Sequence, residues 1–96
     1  MKRHATGHRD VNHAEIAAAL EGLGANVWDT SKVGKGYPDI TAGWCGRTIL
    51  VEVMRPDAYP YELHEHQVRR GGYKGGDWLI VTGRDDLLRQ LGVSVQ

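Results

Sequence analysis

Thr48-Ile49-Leu50-Val51-Glu52-Val53-Met54 constrains the fold more than any other part of this chain. The run is rich in β-branched residues and bounded by turn signals, which predicts a strand. Strand side chains alternate, so Ile49, Val51 and Val53 share one face while Leu50, Glu52 and Met54 share the other. A strand apolar on both faces belongs inside a sheet. There a carboxylate at Glu52 is costly unless it is paired or holds a metal. On an edge strand it would simply face water.

The remaining elements arrange themselves around that strand. Residues 1–9 hold Lys2, Arg3 and Arg9 without an acid and read as a flexible basic arm, leaving residues 10–96 as one domain. Ile16, Leu20 and Leu23 recur at i, i+4 and i+7, which predicts a helix over 12–23. Asn12 with Glu15 forms a capping-box pattern at its start, and Gly24 ends it. Strands are expected over 26–30 and 39–43, separated by a loop with Lys32, Lys35 and glycines. Residues 44–47 read as a turn, making an antiparallel hairpin with the Glu52 strand. A helix is expected over 62–70, ended by Gly71-Gly72. Residues 78–81 read as a fully buried strand. Thr82 with Asp85 signals the start of a last helix, with Leu87, Leu88 and Leu91 inward. The order αβββαβα predicts an α/β domain whose mixed central sheet is covered by helices.

Composition excludes several classes. No run of 18 apolar residues exists, so no membrane partner is expected. The first residues lack the apolar stretch of a secretory signal. The lone Cys45 cannot form an internal disulfide and fits a cytoplasmic protein. A 96-residue chain buries a modest core, so a partner subunit is expected. Net charge is zero, yet Lys32 and Lys35 lack a nearby acid, and Arg69, Arg70 and Lys74 cluster. Either carboxylates gather in one cleft and leave basic patches elsewhere, or the charge is dispersed. His64 and His66 fall on different helix faces, and His4, His8 and His13 lie in or near the arm, so no zinc site is expected. Trp28, Trp44 and Trp78 read as core residues, with Trp44 placed in a turn where it can face outward.

Asp39 opens its strand directly after Gly36-Tyr37-Pro38. A short hairpin would bring it beside Glu52. Two carboxylates in one site repel, and a divalent cation relieves the repulsion. Magnesium suits an oxygen set of this kind and keeps several waters. The backbone carbonyl of Val53 could supply a third oxygen.

Gly36-Tyr37-Pro38-Asp39 followed by Glu52-Val53-Met54 resembles the signature of the PD-(D/E)xK nucleases. Glu15 in the first helix, the glycine loop before Asp39, Leu63 with Gln67 four residues later, and the strand and helix over 78–91 bring the resemblance closer to the virus-type replication-repair (VRR-NUC) branch. It covers roughly residues 12–91. It implies a restriction-endonuclease-like core, and a metal (Mg2+ or Mn2+) held by Asp39, Glu52 and the Val53 carbonyl. It implies that Glu15 reaches the same metal and that Gln67 lies near the attacking water or the phosphate. It also implies cleavage of branched or junction DNA by a homodimer of bacterial or phage type. Lys32, Lys35, Arg55, Arg69, Arg70 and Lys74 are the candidate phosphate contacts.

The departure is Met54, where the pattern has a lysine that activates water and stabilises charge on the phosphate. Methionine keeps the length and loses the charge. Three explanations stand: a deliberately inactivated variant, which the intact remainder favours; a homologue that kept binding alone; or a substitute cation, with Lys35 better placed than Arg55. The functional expectation is a structure-specific DNA endonuclease impaired at Met54. The alternatives are a non-catalytic module that binds structured DNA, and an interaction protein sharing only the fold.

Overall fold

A computed structural model describes residues 7–34, 36–55 and 77–94. Within them run α1 (Gly7–Gly22), β1 (Asn26–Asp29), β2 (Ile40–Trp44), β3 (Arg47–Val53), β4 (Asp77–Val81) and α2 (Arg84–Leu91). The sheet order β1-β2-β3-β4 gives β3 a partner on each side, as its apolar composition demands. β1 with β2 and β2 with β3 pair antiparallel, and β3 with β4 pairs parallel. The protein is therefore a small α/β domain with a mixed sheet. The helix expected over 62–70 lies outside the described residues.

Register follows from the hairpin turn. Cys45 and Gly46 both have positive φ, 52° and 75°, the pattern of a two-residue type I′ turn. Its twist matches that of the flanking strands and locks Trp44 opposite Arg47. Every pair further down the ladder is then set, because a one-residue slip would expose the whole buried face.

One face of the sheet and the two helices enclose the core. Ile40, Ala42, Ile49, Val51, Val53 and Val81 point to Ile16 and Leu20 of α1 and Leu87 of α2. Burying an aliphatic side chain of this size stabilises by about 1.5–3 kcal/mol. Gly24, at φ 94°, ends α1, and the Ala25 N–H reaches back to the Leu20 carbonyl at 3.0 Å. Gly92 ends α2 in the same way, with the Val93 N–H on the Leu88 carbonyl at 2.9 Å. Among the described residues no helix is long and apolar enough to cross a membrane.

Several expectations need correction. α1 begins at Gly7, not Asn12, so it enters the segment read as an arm. Asn12 lies inside the helix, and its Nδ2 donates to the Thr82 carbonyl at 2.8 Å. A residue that mimics a cap in sequence is here a tie between α1 and the β4–α2 loop. At α2, Thr82 meets Asp86 and not Asp85: the Thr82 N–H donates to Asp86 Oδ2 at 2.9 Å. Trp28, expected in the core, is 58% exposed on the edge strand. Trp44, by contrast, fits its core reading: it packs against the core, its Nε1 donating to the Leu23 carbonyl at 3.1 Å. Trp78 and Leu79 are half-buried, so only the end of β4 is fully enclosed.

Candidate metal centre

The β2–β3 register sets Ile40 opposite Val51. One step before Ile40 stands Asp39, and one step after Val51 stands Glu52, so the two acids face each other across the hairpin. Ile40 and Val51 point into the core, which turns Asp39 and Glu52 to the other face. Opposed residues of an antiparallel pair have Cβ atoms about 4.5–5.5 Å apart. Both are buried, at 7% and 5% exposure. Two carboxylates brought together out of water are a costly arrangement for the fold alone.

Local chemistry fixes Asp39. Pro38 limits the backbone before it. The Thr30 N–H donates to the Asp39 carbonyl at 2.9 Å, extending the β1–β2 ladder by one bond. The Thr30 hydroxyl donates to the Pro38 carbonyl at 2.8 Å and lies 3.2 Å from Thr41 Oγ1. These bonds close the neck of the loop over 31–37. From β3, the Val53 N–H donates to Asp39 Oδ2 at 2.9 Å in a buried bond. The carboxylate is thus oriented by the backbone of the residue that follows Glu52.

This donor set suits a hard cation. In an extended strand the N–H and C=O of one residue leave on the same side, so the Val53 carbonyl faces the Asp39 edge as its N–H does. Asp39, Glu52 and that carbonyl offer oxygen only. Magnesium characteristically takes one or two carboxylates and keeps waters in its other positions. Among the described residues no three His, Cys, Asp or Glu side chains gather as a metal-holding group.

Glu15 is not brought to this pair. It is exposed and lines the groove between α1 and α2 with Arg84 and Leu88. It lies one position from Ile16, about 100° around the helix, and turns toward α2 rather than the sheet. The capping box that competed for it is absent as well, since Asn12 is interior. Met54 is 2% exposed and its N–H donates to the Val81 carbonyl at 2.8 Å, continuing β3 alongside β4. Lys32 is exposed in the loop, and Arg55 is half-buried just after β3. Lys35, Gln67, Arg69, Arg70 and Lys74 lie outside the described residues.

His13 is the neighbour that sequence reasoning missed. Its Nε2 lies 3.4 Å from the Asp39 carbonyl and 3.5 Å from Asp29 Oδ1. Protonated at Nε2, it donates toward both. The signal was present: His13 precedes Ile16 by three residues and Leu20 by seven, on the same helical stripe. Asp29 itself is held below the usual carboxylate range. The Ser31 hydroxyl donates to it at 2.6 Å and the Ser31 N–H at 2.9 Å, with smaller help from His13 and Lys32.

No family model, no curated protein and no solved structure matches the chain.

Proposed function

We propose that this protein is a metal-dependent DNA endonuclease of the PD-(D/E)xK type, close to the VRR-NUC branch, acting on branched DNA and impaired by Met54. The observation that carries the reading is the opposed, buried pair Asp39 and Glu52, with the Val53 backbone oriented toward it. Asp39, Glu52 and the Val53 carbonyl would hold Mg2+ or Mn2+. The ion, when bound, would polarise the phosphate and lower the pKa of water at neutral pH. The chain's own part is to fix those oxygens in a rigid hairpin and to exclude bulk water around them.

Position 54 lies beyond Glu52 on the same face. A lysine there would bring an ammonium to the developing charge on the phosphate; Met54 brings neither charge nor proton. The exposed Lys32, with Arg55, is suited to contact phosphates, which orients DNA without reading its sequence. Cutting both strands of a junction requires two sites about a two-fold axis, so the functional unit is a homodimer. The full restriction-endonuclease-like architecture, with helices on both faces of the sheet, belongs to this proposal.

A second reading rests on Met54 itself. It is buried at 2% exposure, as a settled apolar residue would be. A chain with this residue as its native one would bind structured DNA without cutting it.

The test compares this chain with Met54→Lys on a four-way junction, a splayed duplex and linear DNA, with magnesium or manganese. The nuclease reading expects the lysine form to cleave about 10²–10³ times faster. Binding without cleavage by both forms would establish the second reading. No binding by either would end the nucleic-acid reading.

A further inference from the structure

The face of the sheet that carries the two acids also carries aromatic residues. The register aligns Trp28, Thr41, Leu50 and Trp78 in one row across all four strands. That row lies two residues along β3 from Glu52, a distance of about 7 Å. Over Leu50 and Trp78 the loop between β1 and β2 forms an open pocket of about 300 Å³. Among the described residues its walls, which include Val33, Gly34, Tyr37 and Pro38, are almost wholly apolar. Gly34 and Gly36, at φ 79° and 82°, bend the loop back over the sheet. The Tyr37 N–H donates to the Gly34 carbonyl at 3.0 Å, which fixes the ring's backbone at the mouth while the residue stays 43% exposed.

A peptide is a poor occupant, because its backbone N–H and C=O groups would find few partners among the described residues of this wall. A nucleobase is a good one. Its faces are apolar and stack on aromatic rings whatever its sequence. The pocket neighbours the carboxylate pair along the chain: Pro38 in its wall immediately precedes Asp39, and Leu50 in its floor lies two residues before Glu52 on β3. The exposed Lys32 on the same loop supplies positive charge for the strand that carries the base.

We propose that this pocket receives one unpaired nucleobase of the bound strand, within about two base steps of the phosphate at Asp39 and Glu52. The proposal rests on the nuclease reading and narrows its substrate. A paired base stays in its stack and cannot enter unless it is flipped out. DNA with an unpaired nucleotide beside the cut, as at a splayed branch, is then preferred over continuous duplex. Tyr37 is the residue that sets this preference.

The test uses the full chain, with Met54 in place, in magnesium. Splayed duplexes carry one 2-aminopurine, moved position by position through the unpaired arm and the duplex. Fluorescence reports stacking, and anisotropy reports binding. The expected result is quenching confined to one or two unpaired positions near the branch, with Tyr37→Ala weakening binding about tenfold and Tyr37→Phe restoring it. An abasic nucleotide at the quenched position should weaken binding equally. DNA binding that ignores both the abasic change and Tyr37→Ala would overturn the pocket. So would a concentration-dependent dimer that forms through the pocket and leaves 2-aminopurine unquenched. Calorimetric titration with Mn2+ separates the two claims. Quenching without metal binding overturns the nuclease reading alone, and metal binding without quenching overturns the base pocket alone. No DNA binding under any condition overturns both.

Discussion

The two faces of β3 obey different rules although they alternate residue by residue. Toward the helices, Ile49, Val51 and Val53 meet Ile16, Leu20 and Leu87 in a wholly apolar layer. Toward the other side, Leu50, Glu52 and Met54 are also buried, yet an acid sits among them and faces a second acid, Asp39, one residue before β2. The first face can be explained by transfer of aliphatic surface from water. The second cannot, because it buries two acids, one of which accepts the Val53 N–H through Asp39 Oδ2. The lesson is that burial alone does not separate structural from chemical residues; burial of the wrong chemistry does.

Substitutions on the two faces should therefore fail in different ways. Ile49→Ala empties volume in the apolar layer and should cost about 2–5 kcal/mol of stability. Denaturant unfolding in EDTA measures this, and the molecules that remain folded should still bind Mn2+. A cost below about 1 kcal/mol would mean that this face is not the centre of the core.

Glu52→Gln should act on metal binding instead of on the apolar layer. Glutamine keeps the shape of the side chain and loses the negative charge that a cation would neutralise. The gain in Tm expected of the unsubstituted chain on adding Mg2+ or Mn2+ should be absent. Binding to the folded state alone contributes about 2.7 kcal/mol at a hundredfold excess over Kd, so its loss is easily read by differential scanning calorimetry. A variant that is less stable without metal and still responds to it would place Glu52 among the structural residues.

The smallest expected effect lies at Asp29, on the rim. Its carboxyl is held below the ordinary value of 3.8 chiefly by the Ser31 hydroxyl. A depressed folded-state pKa contributes stability that is fully present above the unfolded value and disappears as pH falls through the folded one. Ser31→Ala should thus be slightly less stable than native protein at pH 6. The two should converge as pH falls below the carboxylate range. Equal stability at both pH values would show that the Ser31 bond contributes nothing to the loop.

The sequence made much of this legible because β3 and its turn are locally determined. An apolar run bounded by turn residues defines a central strand. A two-residue turn at Cys45-Gly46 then forces Asp39 opposite Glu52. What was illegible depended on contacts between distant elements. Asn12 mimicked a cap because an asparagine beside a helical stripe looks the same whether it bonds its own helix or the Thr82 carbonyl. His13 lies inside the helix expected over 12–23, yet nothing local in the sequence reveals that its ring meets the Asp39 carbonyl and Asp29. Glu15 followed a family pattern, but its position around the helix turns it to the α1–α2 groove. Trp28 looked like core because size and apolarity do not reveal that a strand is at the edge of a sheet.

The most direct test of the account is calorimetric titration of the native chain and Asp39→Ala with Mn2+. One site per chain is expected in the unsubstituted protein and none in the variant, with both forms folded by circular dichroism. Equal binding by the two, or none by the native chain, would contradict a metal centre at the Asp39–Glu52 pair.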